Sequence, residues 1–348
     1  MKRRDVLKAM AACSLPATLA TAGDQPRQPL GLVIHSYAVR AARPLPPEFP
    51  PINDPLALVE QAATLGAAGV QTRIAVAGAA ALDRLREAVA KRGMYLEGIV
   101  ALPKDKADAP RFEAEVRAAK TVGAAVVRTV CLSGRRYEHF DSRDAFDEFV
   151  ERSWQSLAVA EPLAARHHMR LAVENHKDWR IDEMLGWLKR LDSPWVGVCL
   201  DTGNSIALLE EPHAVVEAYA PWTMTTHLKD MGAAEYADGF LLAEVPLGEG
   251  FLDLPKIVAT LRKHRPEVRL NLEMITRDPL RVPCLTDKYW ATMGDVRAAE
   301  LAEALRRVRA HAFEGELPVV STLPHPRQLQ REAGNIDRCL AYARKHLA

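Results

Sequence analysis

The stretch Arg170–Trp179 reads RLAVENHKDW, an apolar run that ends abruptly in Glu174, Asn175 and His176. A short apolar run of this kind is typical of a strand covered on both faces, as in a parallel sheet. A carboxylate at the end of such a strand needs a partner, because burying an unpaired charge is costly. We therefore predict a buried strand with Glu174 at its C-terminal tip.

The same construction recurs three times further along the chain. VGVCLD ends in Asp201, MTTHLKD carries His227, and RLNLE ends in Glu273. The gaps between the four polar residues are 27, 26 and 46 positions. A strand–helix unit takes about 25 to 35 residues, so the pattern places the four on successive strands, with an insertion in the last gap.

The strand–helix alternation predicts a (β/α)8 TIM barrel, in which the C-terminal ends of the strands meet on one face. A doubly wound open sheet is the competing architecture. Three carboxylates gathered in a barrel mouth would repel one another without a cation. An oxygen-rich set with one imidazole favours a single divalent ion, Mn²⁺ first, with Mg²⁺, Co²⁺ or Zn²⁺ as alternatives.

Composition limits the kinds of molecule that the protein is expected to bind. The formal net charge of the 348 residues is +1, and the Lys and Arg residues are spread along the chain, which argues against nucleic-acid binding. A small neutral molecule is the more plausible substrate. The five cysteines lack paired metal spacing and are interpreted as reduced thiols: Cys13, Cys131, Cys199, Cys284 and Cys339.

The N-terminus resembles an export signal. Residues 1–22 combine a basic head containing Arg3-Arg4, a modest apolar segment and a small-residue cleavage site at 20–22. The arginine pair resembles the twin-arginine motif, which predicts a periplasmic or otherwise exported protein; an ordinary basic start of a cytoplasmic protein is the alternative. We assign 23–29 to a linker and 30–348 to the barrel with its C-terminal helical extension. No later apolar run is long enough to span a membrane after signal removal.

Strands and helices can be placed in order along the barrel. The predicted strands are 30–36, 69–74, 95–101, 124–130, 170–174, 196–201, 224–230 and 269–273. The predicted helices are 54–65, 79–92, 110–121, 141–168, 181–191, 212–219 and 253–264, and a further helix over 326–347 lies outside the barrel. Long loops are expected at 231–252 and 276–296; these and the last helix could cover the mouth or form a contact in a homo-oligomer.

Five motifs carry a family resemblance that runs from about Leu30 to the C-terminus: LAVEN, LDTGN, HLKD, LGEG and LEM. Together they resemble the xylose-isomerase-like TIM-barrel superfamily, and the chain is similar to its ketose 3-epimerases and to exported members labelled sugar phosphate isomerase/epimerase. The resemblance implies a divalent metal held by Glu174, Asp201, His227 and Glu273, with Glu174 and Glu273 also moving the proton. Endonuclease IV shares the fold, but this chain lacks its histidine set and a basic surface.

Other residues near these motifs are candidates for contacting the substrate or orienting the metal ligands. They are His35, Asn175, His176, Asn204, Lys229 and Asp230. Asn204 departs from the resemblance, since related epimerases often have a second histidine there.

Each metal candidate also has a purely structural interpretation. Glu174 and Glu273 could pair with a buried arginine such as Arg73 or Arg128. Asp201 could cap the following turn, and His227 alone could be an ordinary core histidine.

The resemblance and the predicted metal point to a sugar or keto-sugar isomerase or epimerase. It would abstract a proton next to a carbonyl and pass through a metal-stabilised enediolate. The main alternative is a metal-dependent lyase or dehydratase acting on a keto-sugar or 3-keto-glycoside. A third hypothesis, outside catalysis, is an exported sugar-binding protein with a vestigial metal site.

Overall fold

Eight parallel strands form the centre of the protein, in a computed structural model that describes residues 29–41, 45–294 and 296–348. The predicted export signal, 1–22, lies outside the described residues, as does the linker up to residue 28. The barrel strands are β1 (Leu30–Val33), β2 (Gly69–Arg73), β3 (Tyr95–Ile99), β4 (Val126–Thr129), β5 (Arg170–Glu174), β6 (Val196–Asp201), β7 (Thr223–His227) and, after the hairpin of β8 (Asp230–Tyr236) and β9 (Gly239–Val245), β10 (Leu270–Leu272).

The sheet closes on itself between β7 and β10. Its strand order is β10-β1-β2-β3-β4-β5-β6-β7, and Leu228, just after β7, bridges in parallel to Leu272. The Leu228 N–H donates to Asn271 O at 2.7 Å, and the Glu273 N–H donates to Leu228 O at 3.1 Å. The predicted (β/α)8 barrel is therefore confirmed, and the open-sheet alternative is wrong.

Helices surround the barrel, and several start as the sequence predicts. Asp54 caps the first helix by accepting from the Leu56 N–H at 2.8 Å, with Pro55 in the first helical position. The helices are α1 (Pro55–Thr64), α2 (Ala79–Lys91), α3 (Ala109–Thr121), α4 (Arg136–His139), α5 (Arg143–Arg166), α6 (Ile181–Leu191), α7 (Pro212–Tyr219), α8 (Leu254–His264), α9 (Asp287–Trp290), α10 (Ala298–Ala310) and α11 (His325–His346). None of these described helices is both long and apolar enough to cross a membrane.

The segment 231–252 is not the plain loop that its length suggested. Strands β8 and β9 form an antiparallel hairpin, and β11 (Leu280–Val282) from the second long loop pairs with β9 to make a three-stranded sheet. The two-residue turn between them is Ala237-Asp238, and Gly239 begins β9 opposite Tyr236. The first strand is also shorter than predicted, because Ile34–Tyr37 forms a 3₁₀ turn after Val33.

Helix α11 is the extra C-terminal helix, and a buried carboxylate fastens it to the barrel. Glu332 accepts the backbone N–H groups of Val39 at 2.6 Å and Arg40 at 3.1 Å. Burial raises the pKa of Glu332 to about 7. The helix therefore holds the segment that follows His35, one of the candidate site residues.

Candidate metal centre

Four buried side chains meet where the sequence placed them, at the C-terminal ends of barrel strands. Glu174, Asp201 and His227 end β5, β6 and β7, and Glu273 follows β10 directly. Each offers one ligand atom, and these four atoms lie within 4.8 Å of one another. The strand register explains the grouping, since Asp201 and His227 are paired neighbours across β6 and β7.

The imidazole of His227 is oriented for metal binding. Its Nε2 lies 2.7 Å from Gln71 Oε1, while the Gln71 amide nitrogen donates to Glu97 at 3.0 Å. The Gln71 oxygen is thus the acceptor, so Nε2 carries a ring proton and Nδ1 is the nitrogen that can bind a metal ion. Nδ1 is buried without a hydrogen-bond partner and lies 3.3 Å from oxygens of both Glu174 and Glu273.

Two further observations fit a divalent ion at this point. Burial raises the pKa of Asp201 although Lys229 Nζ lies 3.0 Å from its Oδ2, so a further cation beside this carboxylate would stabilise its charged form. Burial alone would lower the pKa of His227, but Cys199, Glu273 and Glu174 raise it well above its ordinary value, so the surroundings favour positive charge at this ring. Three carboxylates and one imidazole suit Mn²⁺, Mg²⁺ or Co²⁺.

Glu174 is held by an arginine as well as by the cluster. Arg128 donates to Glu174 Oε2 through Nε at 2.6 Å and also through its terminal nitrogen, and Asn204 donates to Oε1 at 3.0 Å. Burial alone would raise the pKa of Glu174, but Arg128 and His227 hold it well below its usual range. The ion pair with Arg128 therefore exists within the cluster of candidate metal ligands, whereas Arg73 is exposed at the end of β2.

Glu273 and Asp201 share a lysine. Lys229 Nζ lies 2.7 Å from Glu273 Oε2 and 3.0 Å from Asp201 Oδ2. His35 Nδ1 lies 2.7 Å from Glu273 Oε1, and with 37% of its side chain exposed it links the cluster to solvent. Burial alone would raise the pKa of Glu273, but His227 and Lys229 hold it well below its ordinary value. Asp201 Oδ1 also caps the next turn, accepting the Gly203 N–H at 2.9 Å.

Sequence reasoning missed Lys177, which is only 2% exposed at the edge of the cluster. Its Nζ donates to Asn204 Oδ1, which Lys229 Nζ also approaches at 3.4 Å. Burial, with Lys229 nearby, lowers the pKa of Lys177 to about 8. Its position three residues after Glu174 was the available signal, because residues just past a barrel strand line the mouth.

The other candidates hold the frame around the cluster. The Asn175 amide donates to Asp201 O at 3.0 Å and accepts the Asp201 N–H at 2.7 Å, which ties β5 to β6. His176 Nδ1 lies 3.0 Å from Gly134 O, and burial lowers the pKa of His176 to about 3, so the ring is neutral. Asp230 faces the loop 247–252 rather than the cluster, accepting the backbone N–H groups of Met231, Gly248, Gly250 and Leu252.

A cavity of about 410 Å³ lies beside the cluster, between the barrel mouth and the C-terminal segment. Glu244 separates the two regions: it lies 3.7 Å from Lys229 Nζ and pairs with Arg277. The lining includes Met274, Thr276, Leu317 and Asn335. The cavity therefore adjoins the cluster through Glu244, and the four candidate metal ligands do not line it.

The sequence matches a known family over most of its length. The family model for the xylose isomerase-like TIM barrel covers residues 59–311. The chain belongs to this family. The predicted superfamily is thereby confirmed. It is a family of enzymes, and solved structures similar to this chain include sugar epimerases.

Three similar proteins show which kinds of enzyme and structure this xylose isomerase-like barrel resembles. It is 26% identical to the 3-oxo-isoapionate decarboxylase of Pectobacterium atrosepticum over 254 residues, which cover 70% of this chain and 84% of the relative. A xylose isomerase-like TIM barrel protein from Mycobacterium smegmatis, solved in complex with magnesium, has a TM-score of 0.53 at 17% identity over 80% of this chain and 98% of its own. A D-psicose 3-epimerase, solved in the presence of D-fructose, has a TM-score of 0.51 at 15% identity over 74% and 92%.

Proposed function

We propose that this protein is a divalent-metal-dependent sugar or keto-sugar isomerase or epimerase that removes and returns the hydrogen next to a carbonyl group. The observation that carries the proposal is His227 Nδ1, buried without a hydrogen-bond partner and 3.3 Å from an oxygen of Glu174 and of Glu273. These three residues and Asp201 would hold the ion, with Mn²⁺ preferred. The D-psicose 3-epimerase among the structural neighbours supports the same class of reaction.

The cation and the two glutamates would divide the chemistry. A bound divalent cation would polarise the substrate carbonyl and balance the negative charge that appears when the proton leaves. Because Arg128 and Lys229 hold the pKa of Glu174 and Glu273 low, both carboxylates are ionised at neutral pH and free to accept a proton. They are weak bases for the same reason, so turnover depends on the polarised carbonyl.

Two glutamates on separate strands suit an epimerase. One carboxylate can take the proton and the other can return it, and His35, 2.7 Å from Glu273, can pass a proton to solvent. Asn204 and Lys229 already contact the ligand carboxylates and would lie close to the hydroxyl groups of a bound sugar. The cavity beside Glu244 would take the rest of the substrate.

The test is hydrogen exchange with solvent. Protein loaded with Mn²⁺ is incubated with keto-sugars in deuterated water, and deuterium at the carbon next to the carbonyl is followed by NMR. We expect exchange in the wild type, and at least a 100-fold loss in Glu174→Gln and Glu273→Gln. Glu217→Gln, on the exposed surface of α7, is the control. Manganese content is measured in each variant, and full exchange in both metal-loaded site variants would refute the proposal.

A lyase reaction, such as decarboxylation of an oxo acid, is the second candidate. The 26%-identical relative named as a 3-oxo-isoapionate decarboxylase favours it. The bond to the carboxylate carbon would break, its electron pair would pass to the neighbouring carbonyl, and CO2 would leave. Lys177, whose pKa burial lowers to about 8, could then supply the proton to carbon.

Product analysis separates the two candidates. An isomerase or epimerase conserves the mass of the substrate, whereas a decarboxylase releases CO2 from a 3-oxo acid and a dehydratase or 3-keto-glycoside lyase releases water or the free aglycone. Mass spectrometry of incubations with keto-sugars, with a 3-oxo sugar acid and with a 3-keto-glycoside therefore assigns the reaction type directly.

Export through the twin-arginine pathway also remains our proposal, resting on residues 1–22. Periplasmic recovery of the tagged full chain, lost when Arg3 and Arg4 are both changed to Lys, is the expected result.

A further inference from the structure

We propose that the substrate carries a carboxylate group, which the ammonium groups of Lys177 and Lys229 bind beside the metal centre. The proposal rests on the function proposed above and names its substrate class: an acidic keto-sugar rather than a neutral one. It starts from a buried cation without an anionic partner.

Lys177 is the unusual group. It is 2% exposed, and among the described residues no carboxylate oxygen lies within 4.0 Å of its Nζ; its hydrogen-bond partner is the neutral amide oxygen of Asn204. Buried charges in proteins are ordinarily paired, because desolvating an unpaired ion is costly. A bound ligand with a negative charge would supply the anionic partner that Lys177 lacks among the described residues.

Lys229 places a second ammonium group at the same point. Both Nζ atoms approach the same oxygen, Asn204 Oδ1, so they flank one position at the edge of the cluster. Lys229 keeps its contacts with Asp201 and Glu273, which leave one face of its ammonium group toward Asn204. Two ammonium groups that approach the same acceptor can both donate hydrogen bonds to one carboxylate.

The charge of the whole site points the same way. The buried carboxylates in contact with the cluster are Glu174, Asp201, Glu244 and Glu273, and the cationic side chains joined to them directly or through Asn204 are Arg128, Lys177, Lys229 and Arg277. These four negative and four positive charges cancel, so a divalent ion leaves the site with a net charge of about +2. Three carboxylates and a divalent ion alone would sum to a net charge of about −1. A surplus of positive charge in a buried site attracts an anionic ligand.

The test compares acids with the matching polyols. Binding of gluconate and glucitol, and of erythronate and erythritol, to the Mn²⁺-loaded full chain is measured by isothermal titration calorimetry. Each pair differs only in a carboxylate against a hydroxymethyl group. A charge-assisted hydrogen bond predicts that the acid binds about 10- to 100-fold more tightly.

Variants of Lys177 distinguish its ammonium group from the metal as the carboxylate's partner. Lys177→Met should lose most of the preference for the acid, and Lys177→Arg should retain part of it because the positive charge remains. Lys189→Met, exposed on α6, should retain all of it. Thermal unfolding and manganese content establish that each variant is folded and loaded.

Two results would overturn the proposal. One is equal binding, or no binding, of both members of each pair to the wild type; the other is a preference that survives in Lys177→Met, which would mean that the carboxylate binds the metal alone. The proposed function fails separately, through absent deuterium exchange. An acid preference that depends on Lys177 supports the carboxylate proposal even if no exchange occurs, and exchange of neutral keto-sugars without any acid preference supports the function alone.

Discussion

Replacing Gln71 by Leu should weaken Mn²⁺ binding by about 10- to 100-fold. When His227 Nδ1 binds a cation, the ring proton must sit on Nε2, which lies 2.7 Å from the Gln71 oxygen. Leucine leaves that buried N–H without an acceptor, at a cost of about 1–3 kcal/mol. In metal-depleted protein the ring can release its Nε2 proton and keep the one on Nδ1, where Glu174 and Glu273 oxygens lie 3.3 Å away, whereas the metal-bound ring has no other proton to keep. The cost therefore falls on the metal-bound state, and about 1.4 kcal/mol corresponds to tenfold in affinity.

The assay is calorimetric titration of metal-depleted protein with Mn²⁺ near neutral pH. Thr225→Val is the matched control, because the Thr225 hydroxyl donates to Glu97 Oε2 at 2.7 Å, just as the Gln71 amide does at 3.0 Å, without touching His227. An unchanged affinity in Gln71→Leu, or an equal loss in Thr225→Val, would refute the reasoning. The first result would mean that the Gln71 bond does not select the tautomer, and the second that the Glu97 network as a whole supports the site.

Three further outcomes are expected. Asp230→Ala should lower the free energy of unfolding by about 3 kcal/mol and speed amide exchange at Gly248 and Gly250, because four backbone N–H groups lose their acceptor; unchanged exchange there would contradict it. Burial raises the pKa of Glu332 from 4.5 to about 7, so the stability it contributes is present below about pH 4.5 and lost as the pH rises through about 7. Between pH 4.5 and 8, the free energy of unfolding of Glu332→Gln should therefore rise relative to that of the wild type by up to about 3 kcal/mol, measured by urea unfolding. An equal difference between the two proteins at both pH values would contradict this. Chelation should abolish deuterium exchange yet leave the circular dichroism spectrum unchanged, because Arg128 and Lys229 still neutralise the carboxylates; collapse of the spectrum would contradict it.

Much of the fold could be predicted because its signals are local. Helices α6 and α7 begin and end where predicted, and Asp54-Pro55 starts α1 through a cap that involves only the next turn. The hairpin of β8 and β9 was missed because 231–252 was interpreted as a long loop, although Asp238-Gly239, at the start of β9, is a dipeptide typical of hairpins. Strand β1 was predicted to be too long because the apolar run continues through Ile34, which begins a 3₁₀ turn.

The candidate site, like the fold, could be predicted only in part. Four polar groups at the ends of strands could be found from spacing, since a regular strand–helix repeat brings those ends to one face. The charge of the site could not, because it depends on partners that approach from other strands. Arg128 reaches Glu174 from 46 positions away, and Lys229 and Lys177 meet at Asn204. Counting the ligand carboxylates alone therefore leaves out the cationic side chains that neutralise them.

By itself, the sequence determined the strand–helix alternation, the four groups Glu174, Asp201, His227 and Glu273, and the family to which their spacing points, because these follow from side-chain chemistry at regular intervals. Only the closed barrel decided which nitrogen of His227 is free, since Gln71 lies 156 positions away and meets the ring across the barrel interior. It also decided that Lys177 is buried without an anionic partner among the residues that the structure describes. Contacts of that kind depend on three-dimensional closure, and no local pattern encodes them.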